Sequence, residues 1–189
     1  MFATKDEYYL FIIKTTDFNP NLVKIRNKFN IIYRNNNKPE NVSVLSHYKN
    51  NCKKKGIKFL IANNAKLAVD SKADGLYISA HNKDLGIAKP PNKNFIIIGS
   101  AHNYKEIKLK KNQGCKKIIF SRLFNTDHKH KKGFLGIVKF NLIANIYRFL
   151  VPLGGIKINN LNCLRIINSQ SLAIFSEVKK KPAIISRLF

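Results

Sequence analysis

The chain is predicted to fold as a small (β/α)8 barrel of the TIM type. Three observations point there. Eight short apolar runs recur along the 189 residues, with helix-compatible segments between most of them. The runs lack clean apolar–polar alternation, as expected of parallel strands covered on both sides. The seventh run stops at two adjacent glycines, Gly154 and Gly155, and Ser176 follows the eighth. In such barrels the loops after strands seven and eight commonly hold phosphate. An open parallel α/β sheet is the alternative, because 189 residues is short for a full barrel.

Residues 8–13 read as a strand, rich in aromatic and β-branched side chains. Asn19-Pro20 opens a short helix to about Lys28, with Asn19 as cap and Pro20 in its first turn. Residues 29–33 form the second strand, which ends at Arg34. Residues 39–55 are helical, closed by Gly56. The third strand covers 58–62, a helix 64–72 and the fourth strand 75–78; a segment without clear pattern, carrying Pro90-Pro91, comes next. The second half repeats the beat: strand 95–98, helix 103–112 with Gly114 after it, and strand 117–120. A charged loop, 121–133, leads to a helix at 134–148 whose apolar face is Ile137, Leu142, Ile143 and Ile146. Strand 149–153, helix 159–168, strand 171–175 and a helix at 179–189, with Pro182 in its first turn, complete the chain.

Residues 1–189 are read as one domain. Thirty-five Lys and Arg against ten Asp and Glu give a formal charge of +25. Such a charge attracts polyanions. Here, however, the basic residues are spread along the chain among abundant asparagine and isoleucine, and the aromatics sit inside apolar runs rather than among the charges. The charge is therefore read as compositional and nucleic-acid contact as incidental, with a basic nucleic-acid-associated module kept as the alternative. Cys52, Cys115 and Cys163 are odd in number and scattered, which points to reduced thiols and a cytoplasmic protein. Asp6 and Glu7 argue against a signal peptide, and the apolar runs are too short to span a bilayer. A homodimer is one option for the assembly.

At the carboxyl ends of the strands the sequence offers Arg34, Asn63, Asn64, Asn82, Ser100, His102, Thr126, Lys129, Gly154, Gly155 and Ser176. This set is basic and neutral-polar. It is rich in donors for oxyanions and poor in the carboxylates that Mg2+ favours. The nearest acids are Asp84 and Asp127. The glycine pair lets backbone approach a ligand closely, with N–H groups available to an anion. No P-loop, no G-x-G-x-x-G, no Ser-His-Asp order and no Cys–His pairing stands out.

In this order the residues resemble the thiamine-phosphate synthase/TenI family of barrels. Asn63-Asn64 and Ala73-Asp74-Gly75-Leu76-Tyr77-Ile78 are similar to the family's Asn-Asp and its Ala-Asp-Gly-Val-His-Leu strand. Ile97-Ile98-Gly99-Ser100-Ala101-His102 is similar to Ile-Gly-Val-Ser-Ala/Cys-His. The Phe-Gly-Pro-Ile-Phe-Pro-Thr-x-Thr-Lys loop keeps Leu123-Phe124, Thr126 and Lys129. Leu153-Gly154-Gly155-Ile156 matches Gly-Gly-Ile, Ala173-Ile174-Phe175-Ser176 the closing strand, and Tyr33-Arg34 stands at the family's Gln-x-Arg-x-Lys.

The resemblance implies a pyrophosphate-releasing transferase of thiamine biosynthesis, which couples a hydroxymethylpyrimidine pyrophosphate to a thiazole phosphate with Mg2+. Arg34, Ser100 and Lys129 would be catalytic. Asn63 and Thr126 would join them on the pyrimidine pyrophosphate, and Gly154, Gly155 and Ser176 would hold the thiazole phosphate. The family's two metal-binding aspartates fall at Asn64 and Asn82, whose amide oxygens can ligate Mg2+ but, without the two formal charges, only weakly. The Gln and Lys flanking Arg34 become Ile32 and Asn36, and the Gly-Pro of the sixth loop becomes Ser121-Arg122. A catalytically degenerate barrel that binds phosphorylated ligands is the alternative to the synthase.

Overall fold

The computed structural model describes residues 5–35, 37–126 and 133–174. Eight parallel strands close on themselves in sequence order. They are β1 (Glu7–Ile12), β2 (Phe29–Tyr33), β3 (Lys58–Ala62), β4 (Gly75–Ile78), β5 (Ile96–Ala101), β6 (Lys117–Ser121), β7 (Leu150–Leu153) and β8 (Ser171–Ile174). β1 pairs with β2 on one side and with β8 on the other, so the open-sheet alternative is excluded. Closure rests unevenly on its neighbours. Among the described residues, β8 makes four residue pairs with β1, from Glu7↔Ser171 to Leu10↔Ile174, but a single one, Leu153↔Ala173, with β7.

The missing alternation has a physical cause. Successive strand side chains point alternately inward and outward, and both sets are apolar. Phe11, Ile32, Leu60, Ile98, Ile119 and Val151 fill the interior. Leu10, Ile31, Phe59, Leu76, Ile118 and Leu172 belong to the larger core that also takes in residues of the helices. At the amino-terminal mouth the interior turns polar. The Lys117 ammonium donates to Glu7 Oε2 at 2.7 Å and to Ser171 Oγ at 3.1 Å, and the Tyr9 hydroxyl donates to the same carboxylate oxygen at 2.6 Å. Three strands are thereby tied at one end.

Four α-helices cover the sheet: α1 (Val42–Lys54), α2 (Ala65–Asp70), α3 (Tyr104–Asn112) and α4 (Gly136–Ile146). α1, α2 and α3 open on an asparagine cap, from Asn41 to Ser43 N, Asn64 to Leu67 N and Asn103 to Glu106 N. The segment 80–95, which carries no helix, shortens the barrel relative to eight full strand–helix units.

Three local expectations are corrected. Residues 19–28 are not a helix. Asn19 does cap, accepting from Asn21 N at 2.9 Å, but Pro20–Leu22 is a lone 3-10 turn. Val23 leaves it in extended backbone (φ −78°, ψ 120°) in order to bury its side chain. The helix expected at 159–168 is a 3-10 segment, Ile158–Ile166, in a stretch whose asparagines compete for backbone hydrogen bonds. On α4, Leu142 and Ile146 face outward at 62% and 71% exposure, while Phe140, Ile143 and Ala144 are buried. That helix is apolar all round, so sequence alone could not orient it. Ser176 and the expected helix at 179–189 lie outside the described residues. No helix among the described residues is long and apolar enough to cross a membrane.

Candidate functional site

A cavity of about 230 Å3 opens at the carboxyl ends of the strands. Its walls follow from strand parity. Arg34 continues the inward-facing series of β2, its amide bonded to Ile12 O at 2.8 Å. Tyr77, Ser79 and His81 follow one another at every second position along and beyond β4; Ser100 and His102 do the same on β5. Ser121, Arg122 and Thr126 come from the end of β6, Leu153, Gly154 and Gly155 from β7, and Ala173 from β8.

The glycine pair lines this cavity, but its lack of side chains serves the protein's own backbone first. A Cβ on Gly155 would lie 2.4 Å from Asn125 O and 2.7 Å from the Phe124 carbonyl; Gly155 itself has φ +67°. A Cβ on Gly154 (φ +107°) would meet Arg122 Cβ and Cγ at 3.2 Å. The loop after β6 is thus seated on the glycines, with Leu123 N donating to Leu153 O (2.9 Å) and Phe124 N to Gly154 O (3.0 Å). The expectation that a ligand occupies the vacated Cβ space is corrected accordingly. The amides of Gly155 and Ile156 are used by none of the loop or turn hydrogen bonds among the described residues. They remain suited to an anion.

Of the residues singled out from sequence, Arg34, Ser100, Thr126, Gly154 and Gly155 surround this one cavity. Asn63 does not. Held at φ +55°, it accepts from Ser79 N through Oδ1 at 2.8 Å, locking β3 to β4, and it lines a separate crevice with Tyr33 and Asn64. Asn64 caps α2, with Oδ1 accepting from Leu67 N at 2.9 Å. Asn82 Oδ1 accepts from Asp84 N at 3.0 Å, and its carbonyl takes the buried Lys110 ammonium at 2.7 Å. Lys129 lies outside the described residues, as do Ser176 and Asn36.

Sequence reasoning passed over Tyr77, Ser79, His81 and Ser121 as site residues. The signal was the period-two series on β4, because its inward partners reach the rim in turn. Burial pushes the Tyr77 hydroxyl above the usual phenol range, against the pull of its hydrogen bond with Ser100 and the charge of Arg34. Tyr77 therefore stays protonated as a donor at the cavity floor. His102 Nδ1 is 2.9 Å from Ser121 Oγ and 3.2 Å from Ser121 O. A carbonyl can only accept, so Nδ1 is assigned the proton.

The donor set does not fit a resident divalent cation. Mg2+ seeks carboxylate oxygens, and among the described residues no cluster of three or more His, Cys, Asp or Glu is placed to hold a metal. Asp127 lies outside the described residues, and the nearby acids among those described are already engaged. Asp84 Oδ1 accepts from Gly86 N at 2.8 Å, and Glu106 accepts from His102 N at 2.7 Å and Asn103 Nδ2 at 3.0 Å. Among the described residues, the charged side chains lining the cavity are Arg34 and Arg122, with two histidines beside them.

Comparison with known proteins follows the same line. A family model described as thiamine monophosphate synthase matches residues 12–178. The thiamine-phosphate synthase of Prochlorococcus marinus (strain AS9601) is 31% identical over 134 residues, 69% of this chain and 38% of that protein. The thiamine-phosphate synthase of Pelagibacter ubique is 31% identical over 125 residues, 65% of this chain and 60% of that protein. The matched region therefore spans less than two thirds of these relatives' length. Among solved structures, a thiamine phosphate pyrophosphorylase from Pyrococcus furiosus has a TM-score of 0.73 at 16% identity, covering 98% of both chains. KGPDC from Streptococcus mutans has a TM-score of 0.62 at 8% identity, covering 98% of this chain and 100% of the other. At these identities the structural likeness is one of fold.

Proposed function

Because this chain belongs to the thiamine monophosphate synthase family, we propose that its rim cavity binds phosphorylated thiamine precursors and couples a hydroxymethylpyrimidine pyrophosphate to a thiazole phosphate. The observation that carries this reading is the meeting of Arg34, Ser100, Thr126 and the Gly154-Gly155 backbone around one cavity. At about 230 Å3 that space lies just below the usual range of small-molecule sites and suits a small phosphorylated ring.

The coupling breaks the C–O bond between the pyrimidine methylene and pyrophosphate, which leaves with the electron pair. The thiazole nitrogen forms the new C–N bond to that methylene. Arg34 neutralises charge growing on the departing pyrophosphate, and Ser100 donates to it. Tyr77, held protonated, fixes Ser100 from below. The Gly155 and Ile156 amides hold the thiazole phosphate. Lys129 and Ser176 are assigned to the two phosphate groups on the family resemblance.

The test is calorimetric titration with each substrate, followed by assay of the mixture for thiamine phosphate. Heat from both ligands and product formation support the reading. No heat from either at millimolar concentration refutes it. Binding without product favours the degenerate alternative.

A further inference from the structure

We propose that this barrel takes its diphosphate without a divalent cation, with Arg34 and Arg122 supplying the compensating charge beside His81 and His102. The inference rests on the phosphoanion reading above and specifies how that site neutralises its ligand.

Four observations carry it. These four side chains line the same cavity, although they arrive from the ends of β2, β4, β5 and β6. The Arg122 guanidinium is fixed in place, Nη1 donating to Thr126 Oγ1 at 3.0 Å and Nη2 to Gly133 O at 2.7 Å. Its stem lies over Gly154, where any side chain would crowd Arg122 Cβ and Cγ at 3.2 Å. The glycine that opens the anion cradle therefore also admits an arginine across it. His81 and His102 stand side by side, ring centroids 6.4 Å apart; His81 adds an imidazole donor to the same wall, while the His102 Nδ1 proton is held by Ser121.

Among the described residues, the oxygens that would otherwise recruit a cation are committed to caps and turns. Asn64 Oδ1, Asn82 Oδ1, Asp84 Oδ1 and Glu106 each accept from a backbone amide. Among the described residues, the two salt bridges are Lys49–Asp74 and Lys117–Glu7, so Arg34 has no carboxylate partner there. A guanidinium presents a planar fork of donors to phosphate oxygens and forms short, charge-assisted bonds. Two of them, with a donor from His81, offset the anionic charge that a metal offsets elsewhere.

The experiment is calorimetric titration of the full chain with inorganic pyrophosphate, in EDTA and in millimolar MgCl2. Dissociation constants within about threefold of each other support the proposal. Binding that requires Mg2+ overturns it and leaves the phosphoanion reading standing; no binding in either buffer overturns both. In EDTA, His81→Gln and Arg122→Gln are each expected to weaken pyrophosphate binding about tenfold, the scale of one charge-assisted hydrogen bond. His81 is exposed, so its variant keeps the test intact if loss of Arg122 disturbs the loop. Lys66→Gln, exposed on α2, reports general attraction to this basic chain. A loss at Lys66 equal to that at His81, or unchanged affinity in both cavity variants, overturns the proposal.

Discussion

Gly155→Ala tests the seating of the β6–α4 loop on the glycine pair. Two costs add. Placing alanine at φ +67° costs about 1–2 kcal/mol. The new Cβ would also stand 2.4 Å from Asn125 O and 2.7 Å from the Phe124 carbonyl, all backbone atoms with no rotamer to escape into. Relief requires the loop to lift, which sacrifices the Leu123 N–Leu153 O and Phe124 N–Gly154 O bonds, at about 1 kcal/mol each. The expected total is about 3–4 kcal/mol. Gly114→Ala is the internal control, since Gly114 has φ +79° and nothing within 4 Å of its added Cβ. It carries only the conformational cost. The difference of about 2 kcal/mol corresponds to about 4–8 °C in Tm for a chain of this size, and urea denaturation of the two variants in parallel measures it directly. Equal destabilisation of the two would refute the packing of loop backbone against Gly155.

Lys110→Met leaves Gln113 Oε1 without the ammonium that now lies 2.8 Å away and weakens the hold on Asn82 O. A loss of about 1–2 kcal/mol in urea denaturation is expected, with no loss refuting the anchor. Burial pushes the Cys52 and Cys115 thiols up to about 12, whereas Cys163 is exposed. A thiol reagent at neutral pH should therefore titrate one cysteine in the native protein and three in denaturant; rapid native labelling of more than one refutes the burial. Burial alone would raise the Glu7 carboxyl, but hydrogen bonds from Lys117 and Tyr9 and the charges of Lys117 and Lys58 hold it below the usual range. Its stabilisation is complete above the ordinary glutamate value and drains as pH falls through that value to the lowered one. The urea midpoint of the wild type should consequently drop between about pH 5 and pH 3, and more steeply than that of Glu7→Gln; parallel curves refute the link.

The strands were legible because runs such as Phe29–Tyr33 and Lys58–Ala62 are β-branched and aromatic, bounded by polar residues, and buried on both faces. Arg34 and Ser100 were legible as lining the rim cavity for a related reason, since a strand's carboxyl end fixes which rim they occupy. Rim position alone did not fix direction. Asn63, Asn64 and Asn82 share it, yet their side chains turn back to accept backbone amides, as short amides at strand–helix junctions do. The glycine pair was found at the right place, but the atoms filling its Cβ space come from a loop some thirty positions earlier, a contact no local pattern encodes. α4 was misoriented because apolar residues surround it, leaving no moment for the core to select.

The uneven seam around β8 has a consequence for synthesis. Among the described residues, β8 clings to β1 across four pairs and to β7 by one. While the chain emerges, β1 must wait with one edge bare until residue 174 is free. Until then the barrel is a curled, unsealed sheet with β1 exposed to mispairing. Closing that gap joins partners more than 160 positions apart, the kind of long-range pairing that is slow to form.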